Sequence, residues 1–234
     1  NHECPEIWRA RAPREAAPRV TVESKTPYEY KITFGPRPTT RTFWFSPTEI
    51  KHLALSALLV AAVGFSMVGL RPSKTEILIG SALVFVSVFL LHEIAHKLTA
   101  QHYGLWAEFR LVMFGVLLTL ISIFSPLFKI ISPGAVMIAG FAEKDIVGKT
   151  AIAGPATNLA LALISFAPYG FLSSPFSEVA LLSAAFNAWI AFFNLFPIGV
   201  LDGWKVFVWN KIIWTLVFIP SLILTILTFL MLPF

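Results

Sequence analysis

Charge is scarce in this chain: only 13% of its 234 residues are Asp, Glu, Lys or Arg, whereas 56% are hydrophobic. A soluble domain carries roughly a quarter charged residues, so this scarcity, with 22 Phe and 7 Trp, excludes one and indicates an integral membrane protein. Cysteine is almost missing, and the single Cys4 excludes an intrachain disulfide. A basic run interleaved with aromatic residues is also missing. The net charge of +5 is therefore read as a report on orientation in the bilayer, with lipid and not nucleic acid as the partner. The start of the chain is charged and proline-rich without an early apolar core, so no cleavable signal is expected there.

The charge that exists is unevenly placed. The first 50 residues hold 8 of the 18 Lys and Arg and 6 of the 13 acids, which divides the chain into a polar segment, 1–46, and a membrane domain, 47–234. Within the polar segment the alternation Tyr28-Glu29-Tyr30-Lys31-Ile32-Thr33-Phe34 suggests one or two β-strands. His2 and Cys4 are placed as the trailing ligands of a zinc finger or as isolated polar residues of a frayed terminus.

From Ser46 onward the pattern is helical. Ser46-Pro47-Thr48-Glu49 combines an N-cap serine, proline at the first helical position and glutamate at the third, and apolar residues then run to Leu70. Ser73 to Glu76 repeat the capping box, and the helix they open runs to a stop at Gly104. Leu111 to Phe128 form a further apolar stretch, a charged loop is expected from Glu143 to Lys149, and Thr150 to about Pro168 form the next span. Another span opens at Ser174-Pro175 and ends at Asn194-Leu195-Phe196-Pro197, and the last is Ile212 to Leu232, with a kink expected at Pro220. The fold expected is an all-α polytopic membrane protein with five to six transmembrane helices.

The second of these helices carries Leu91-His92-Glu93-Ile94-Ala95-His96. Residues four apart share a helix face, so His92 and His96 can close on one metal ion, leaving Glu93 free to act as a base. Three ionisable groups in a membrane helix are costly unless paired or coordinated, which disfavours an ordinary helix end. Neutral imidazoles as ligands and an unligated carboxylate as proton acceptor are what a hydrolytic zinc site requires.

Crossing parity bears on the rest. If the five clear segments each cross once, His96, Gly154-Pro155 and Asp202 fall on one side, which also collects most Lys and Arg. The positive-inside rule makes that side, and the N-terminus, cytoplasmic. Residues 111–139 are then read as re-entrant or surface-lying, with their irregular backbone buried in protein.

A catalytic zinc needs a third protein ligand. His102 stands six residues after His96, the outer spacing of H-E-x-x-H-x-x-G-x-x-H, but position 99 is Thr, and a continuing helix points His102 away. Glu143 and Asp145 lie among lysines and read as solvated. Asp202 ranks first, because it follows an apolar span and an unpaired carboxylate there is costly; its competing role is as an N-cap. Gly154-Pro155-Ala156-Thr157-Asn158 reads plainly as a helix start, but the Asn158 amide inside a span seeks a partner, which an unwound substrate backbone would supply.

HEIAH on one span, GPATN at the start of a later one and NLFPIGVLDG after the next together resemble the site-2 protease family of intramembrane zinc metalloproteases. The resemblance covers roughly residues 76–212. It implies Zn2+ held by His92, His96 and Asp202, Glu93 as general base, and Asn158 as a substrate-positioning or oxyanion-stabilising residue. The substrate implied is a transmembrane protein. Gly199-Val200 depart from the proline that many members carry in this loop, and a PDZ or CBS module, which many members also carry, is not expected within these residues. Two other readings follow from the residues: a membrane metalloprotease with its site outside the bilayer, requiring a glutamate ligand on a later helix, and a non-catalytic metal-binding or transport protein, which has no need of Glu93.

Overall fold

The computed structural model describes residues 20–26, 29–34, 44–68, 75–125, 131–140, 142–199 and 201–232. His2, Cys4 and Ser73 of the second capping box lie outside them. The polar segment contains an antiparallel hairpin, β1 (Val20–Thr26) and β2 (Glu29–Phe34), paired from Val20 opposite Phe34.

Next come α1 (Pro47–Val68) and α2 (Thr75–His102). Ser46 caps α1 as its sequence predicts, its Oγ accepting from the Glu49 amide at 3.0 Å. Glu49 does not reach back to complete the capping box. Its side chain is fully buried, pairs with Lys97 of α2 and accepts from the Phe109 amide at 2.8 Å. Burial of a carboxylate requires such partners, so tertiary pairing overrides the local motif. At the other end, α2 stops where glycine allows it. Gly104 takes φ +74°, and the bonds Gly104 N–H to Gln101 O and Leu105 N–H to Ala100 O close a Schellman motif.

The ambiguous stretch resolves into β3 (Trp106–Leu111), α3 (Met113–Phe124) and β4 (Gly134–Ala139). β3 and β4 pair antiparallel, with Leu111 opposite Gly134, so the chain leaves and returns at one point. The 12 residues of α3 span about 18 Å, short of the roughly 30 Å hydrocarbon core. Its outward residues are apolar, Met113, Phe114 and Phe124 being 70–84% exposed. This is a membrane-associated excursion and not a crossing.

α4 (Lys144–Phe166), α5 (Phe176–Asn194), the short α6 (Asp202–Trp209) and α7 (Lys211–Met231) complete the chain. Two expectations are corrected in α4. Glu143 is its N-cap and Lys144 to Lys149 form its first turns, not a loop, and Gly154-Pro155 lie inside the helix, not at its start. Exposed charged residues at a helix end are solvated as readily as in a loop, so polarity alone did not distinguish the two. α7 is capped by Asn210, whose side chain accepts from the Ile212 and Ile213 amides, and it continues through Pro220.

Among the described residues five helices, α1, α2, α4, α5 and α7, are long and apolar enough to cross a membrane. The protein is a multi-pass, helical membrane protein. α2 is its centre: Phe85, Val88 and Phe89 pack with Val60 and Val63 of α1, Phe109 of β3, and Phe186 and Ile190 of α5. α4 runs antiparallel on its remaining side, which brings the middle of α4 to the C-terminal half of α2.

Candidate metal centre

His92 and His96 lie one turn apart on α2, ten and six residues before its end, and both are buried. At 1.5 Å per residue they sit about 15 and 9 Å inside the helix. Their Nε2 atoms are 3.0 Å apart. Asp202, the first residue of α6, brings Oδ2 to 3.0 Å from His96 Nε2 and 3.7 Å from His92 Nε2. Tetrahedral zinc with bonds of about 2.0–2.1 Å places its donor atoms about 3.3 Å apart. The three atoms match that spacing. Among the described residues they form the one group of three metal-ligating side chains close enough to share an ion.

The far sides of the imidazoles are also engaged. His96 Nδ1 lies 2.7 Å from the carbonyl oxygen of Thr150 on α4. A carbonyl only accepts, so Nδ1 carries the proton and Nε2 presents its lone pair. His92 Nδ1 lies 2.5 Å from Asn158 Oδ1, also on α4. Gly154 fills the space between these two contacts. A Cβ there would fall on His96 Nε2 and within 2.7 Å of His92 Nε2, so glycine keeps the face of α4 clear where a metal would stand.

Asp202 is placed by its surroundings. Oδ1 accepts from Lys205 Nζ at 3.2 Å, which leaves Oδ2 to the histidines. Leu201, not Asp202, is the N-cap of α6, and no side chain caps that helix end. The helix is anchored by Val206, packed with Ala151 and Leu195, and by Trp209, whose Nε1 donates to Asp145 at 3.0 Å.

Glu93 is half-buried beside the pair, with the Val136 backbone of β4 against its carboxylate. The β3–β4 ribbon therefore touches the residue expected to act as base. His102 is exposed and stacks edge-on with Tyr103. Glu143 is exposed, as is Asp145, which pairs with Lys149. None of the three belongs to the metal-ligating group. Glu178, a glutamate on a later helix, is at the distant end of α5, bonded to Ser174.

Asn158 has partners for its amide within the protein. It is fully buried, its Oδ1 faces His92, and its Nδ2 donates to Val88 O at 3.1 Å and Asn187 Oδ1 at 2.9 Å. The partner its amide seeks inside the span is supplied by the protein. Sequence reasoning passed over Thr150, which acts through its backbone and leaves no sequence signal. It also passed over Asn187, although an amide within the apolar run Phe186 to Phe193 is the same signal that singled out Asn158.

A helical membrane protein in which two buried histidines and a partly buried aspartate lie beside a glutamate outside their group has the parts of a metal-dependent hydrolase. Comparison with known proteins gives the class a family. The chain is 36% identical over 185 residues, 76% of its own length and 93% of the relative's, to a protein of Methanocaldococcus jannaschii named "Putative zinc metalloprotease MJ0611". It belongs to the same zinc metalloprotease family, and with its five apolar helices it is a membrane metalloprotease. Zinc is the cofactor that this relationship and the donor set agree on. No family model matches the chain, and no solved structure matches it.

Proposed function

We propose that the protein is an intramembrane protease of the site-2 type, hydrolysing peptide bonds within or near transmembrane segments of membrane-protein substrates. The observation carrying this reading is the depth of the cluster: its histidines belong to the interior of a helix long enough to span, and the carboxylate is carried in by a short helix between two other spans.

In this reading His92, His96 and Asp202 are the zinc ligands. Bound zinc supplies Lewis-acid activation of water and polarisation of the scissile carbonyl. Glu93 takes the proton of the attacking water and returns it to the leaving amine, a role open to it because it is not drawn into the ligand set. Thr150 and Asn158 hold the imidazoles in the tautomer that binds metal. A transmembrane substrate has its peptide groups hydrogen-bonded in a helix, so it must unwind locally before its carbonyl can reach the site. The cluster, the start of α4 and α6 lie toward one end of the bundle, and we place that end, with the N-terminus, on the cytoplasmic side.

The test is zinc stoichiometry together with cleavage of a synthetic transmembrane peptide by the purified protein. Glu93→Gln is expected to retain zinc and lose hydrolysis. Undiminished hydrolysis in that variant, at saturating zinc, excludes Glu93 as base.

A further inference from the structure

We infer that Asn187 is a positioning residue for the metal centre: through Asn158 it fixes the tautomer and ring orientation of His92. This rests on the reading of His92 as a zinc ligand.

A hydrogen-bond chain crosses three helices. His92 Nδ1 of α2 meets Asn158 Oδ1 of α4 at 2.5 Å. Asn158 Nδ2 donates to Asn187 Oδ1 of α5 at 2.9 Å. Asn187 Nδ2 in turn donates to the Ser183 carbonyl at 2.9 Å and reaches its hydroxyl at 3.3 Å. Both amides are essentially inaccessible, Asn158 at 0% and Asn187 at 1%, so neither can exchange these partners for water.

The direction of the chain is set at its ends. An amide side chain has one donating and one accepting end. Ser183 O and Val88 O are backbone carbonyls and only accept, so each must face an NH2 group. Rotating Asn187 by half a turn would set its NH2 against that of Asn158 and its oxygen against the Ser183 carbonyl. Rotating Asn158 would set its oxygen against Val88 O. With both amides fixed, Asn158 presents oxygen to His92, so His92 Nδ1 must donate. Nε2 is then the bare nitrogen, and it is the one aimed at Asp202 and His96. His96 obtains the same result from one carbonyl, Thr150 O. His92 sits deeper in its helix and obtains it through two amides.

The relay predicts a difference between a substitution that removes the polar group and one that keeps a hydroxyl. Leucine at 187 removes the acceptor and leaves an Asn158 N–H without its partner on α5. Threonine supplies a hydroxyl that can accept from Asn158 and donate to the carbonyl four residues back, as Thr225 does to Ser221 at 2.7 Å.

The experiment measures zinc affinity by chelator competition, and the d–d absorption of the Co2+-substituted protein, on the full chain in detergent. Asn187→Leu is expected to bind zinc about 10- to 100-fold more weakly, the range for loss of a group that orients a metal-bound histidine, with an altered Co2+ spectrum. Asn187→Thr is expected to stay within a few-fold of the parent. Ile190→Ala, on the same helix in the apolar core, controls for loss of packing and should lower thermal stability without moving either readout. Affinity and spectrum unchanged in Asn187→Leu would overturn the inference. Should that variant not fold, imidazole 15N shifts of the parent protein decide: protonation of His92 at Nδ1 supports the relay, and protonation at Nε2 in the metal-free protein overturns it. A parent protein that binds no zinc at His92 would instead remove the metal-site reading itself, a separate outcome.

Discussion

The Nδ1 of His96 and the carbonyl oxygen of Thr150 stand 2.7 Å apart, although 54 residues separate them in the chain. That contact ties the last turns of α2 to the early turns of α4. With the His92–Asn158 contact two turns further along α4, it fixes how the helices lie against one another. The metal-facing nitrogens are thereby directed toward the place where α6 delivers Asp202.

If Asp202 is the third ligand, Asp202→Ala removes one of three protein donors and zinc content should fall from about one ion per chain to traces. His102→Ala should leave zinc content unchanged, since His102 is exposed at the end of α2. Mass spectrometry under non-denaturing conditions reads both. The reverse pattern would refute the ligand set.

Gly154→Ala separates metal binding from helix stability. Alanine favours a helix interior over glycine by roughly 0.5–1 kcal/mol, but here its methyl group meets His92 Nε2 and His96 Nε2. Helical content by circular dichroism should be retained while zinc affinity falls by more than about tenfold, the loss expected from a disturbed ligand geometry. Equal zinc affinity in parent and variant would show that α4 does not border the metal.

The Glu49–Lys97 pair is expected to be strongly coupled, because Glu49 is 0% and Lys97 1% exposed. Lys97 also donates to Ala107 O and lies over the Phe45 ring. Replacing either partner alone leaves an uncompensated buried charge, a loss of about 3–5 kcal/mol. The Glu49→Leu, Lys97→Met double variant should recover much of it, although the Phe109 amide that Glu49 accepts from remains without its acceptor. Thermal denaturation of the four proteins in one detergent gives the coupling, and additive losses would contradict it.

Orientation is tested by single-cysteine labelling in sealed vesicles after Cys4 is replaced. Cysteines at Lys149 and Lys205, whose side chains are 41% and 45% exposed, should react from the cytoplasmic side. A cysteine at Ser173, between α4 and α5, should react from the other side. Positions within α3 should give no label from the outer side, since β3 and β4 return the chain to where it left. Outward labelling at Lys149 would split the ligands across the bilayer and remove the intramembrane reading.

The amino-acid sequence by itself determined the membrane class, the spans and the His92–Glu93–His96 motif, because apolar length, helix caps and the four-residue helical period are properties of contiguous residues. Ser46 caps and Gly104 stops their helices as the sequence predicts. What only the tertiary structure decided concerns residues far apart in the chain. Glu49 carries a capping-box signal and is instead drawn to Lys97. Gly154-Pro155 carries a helix-start signal and lies within α4. Asn158 carries the signal of an amide in need of partners inside a span, and His92, Val88 and Asn187 supply them. In each case the local rule names a polar or conformational need, and the partner that meets it comes from another helix. Which helix supplies it follows from how apolar faces pack, and a buried polar group takes the partner that packing brings within reach, whatever its distance along the chain.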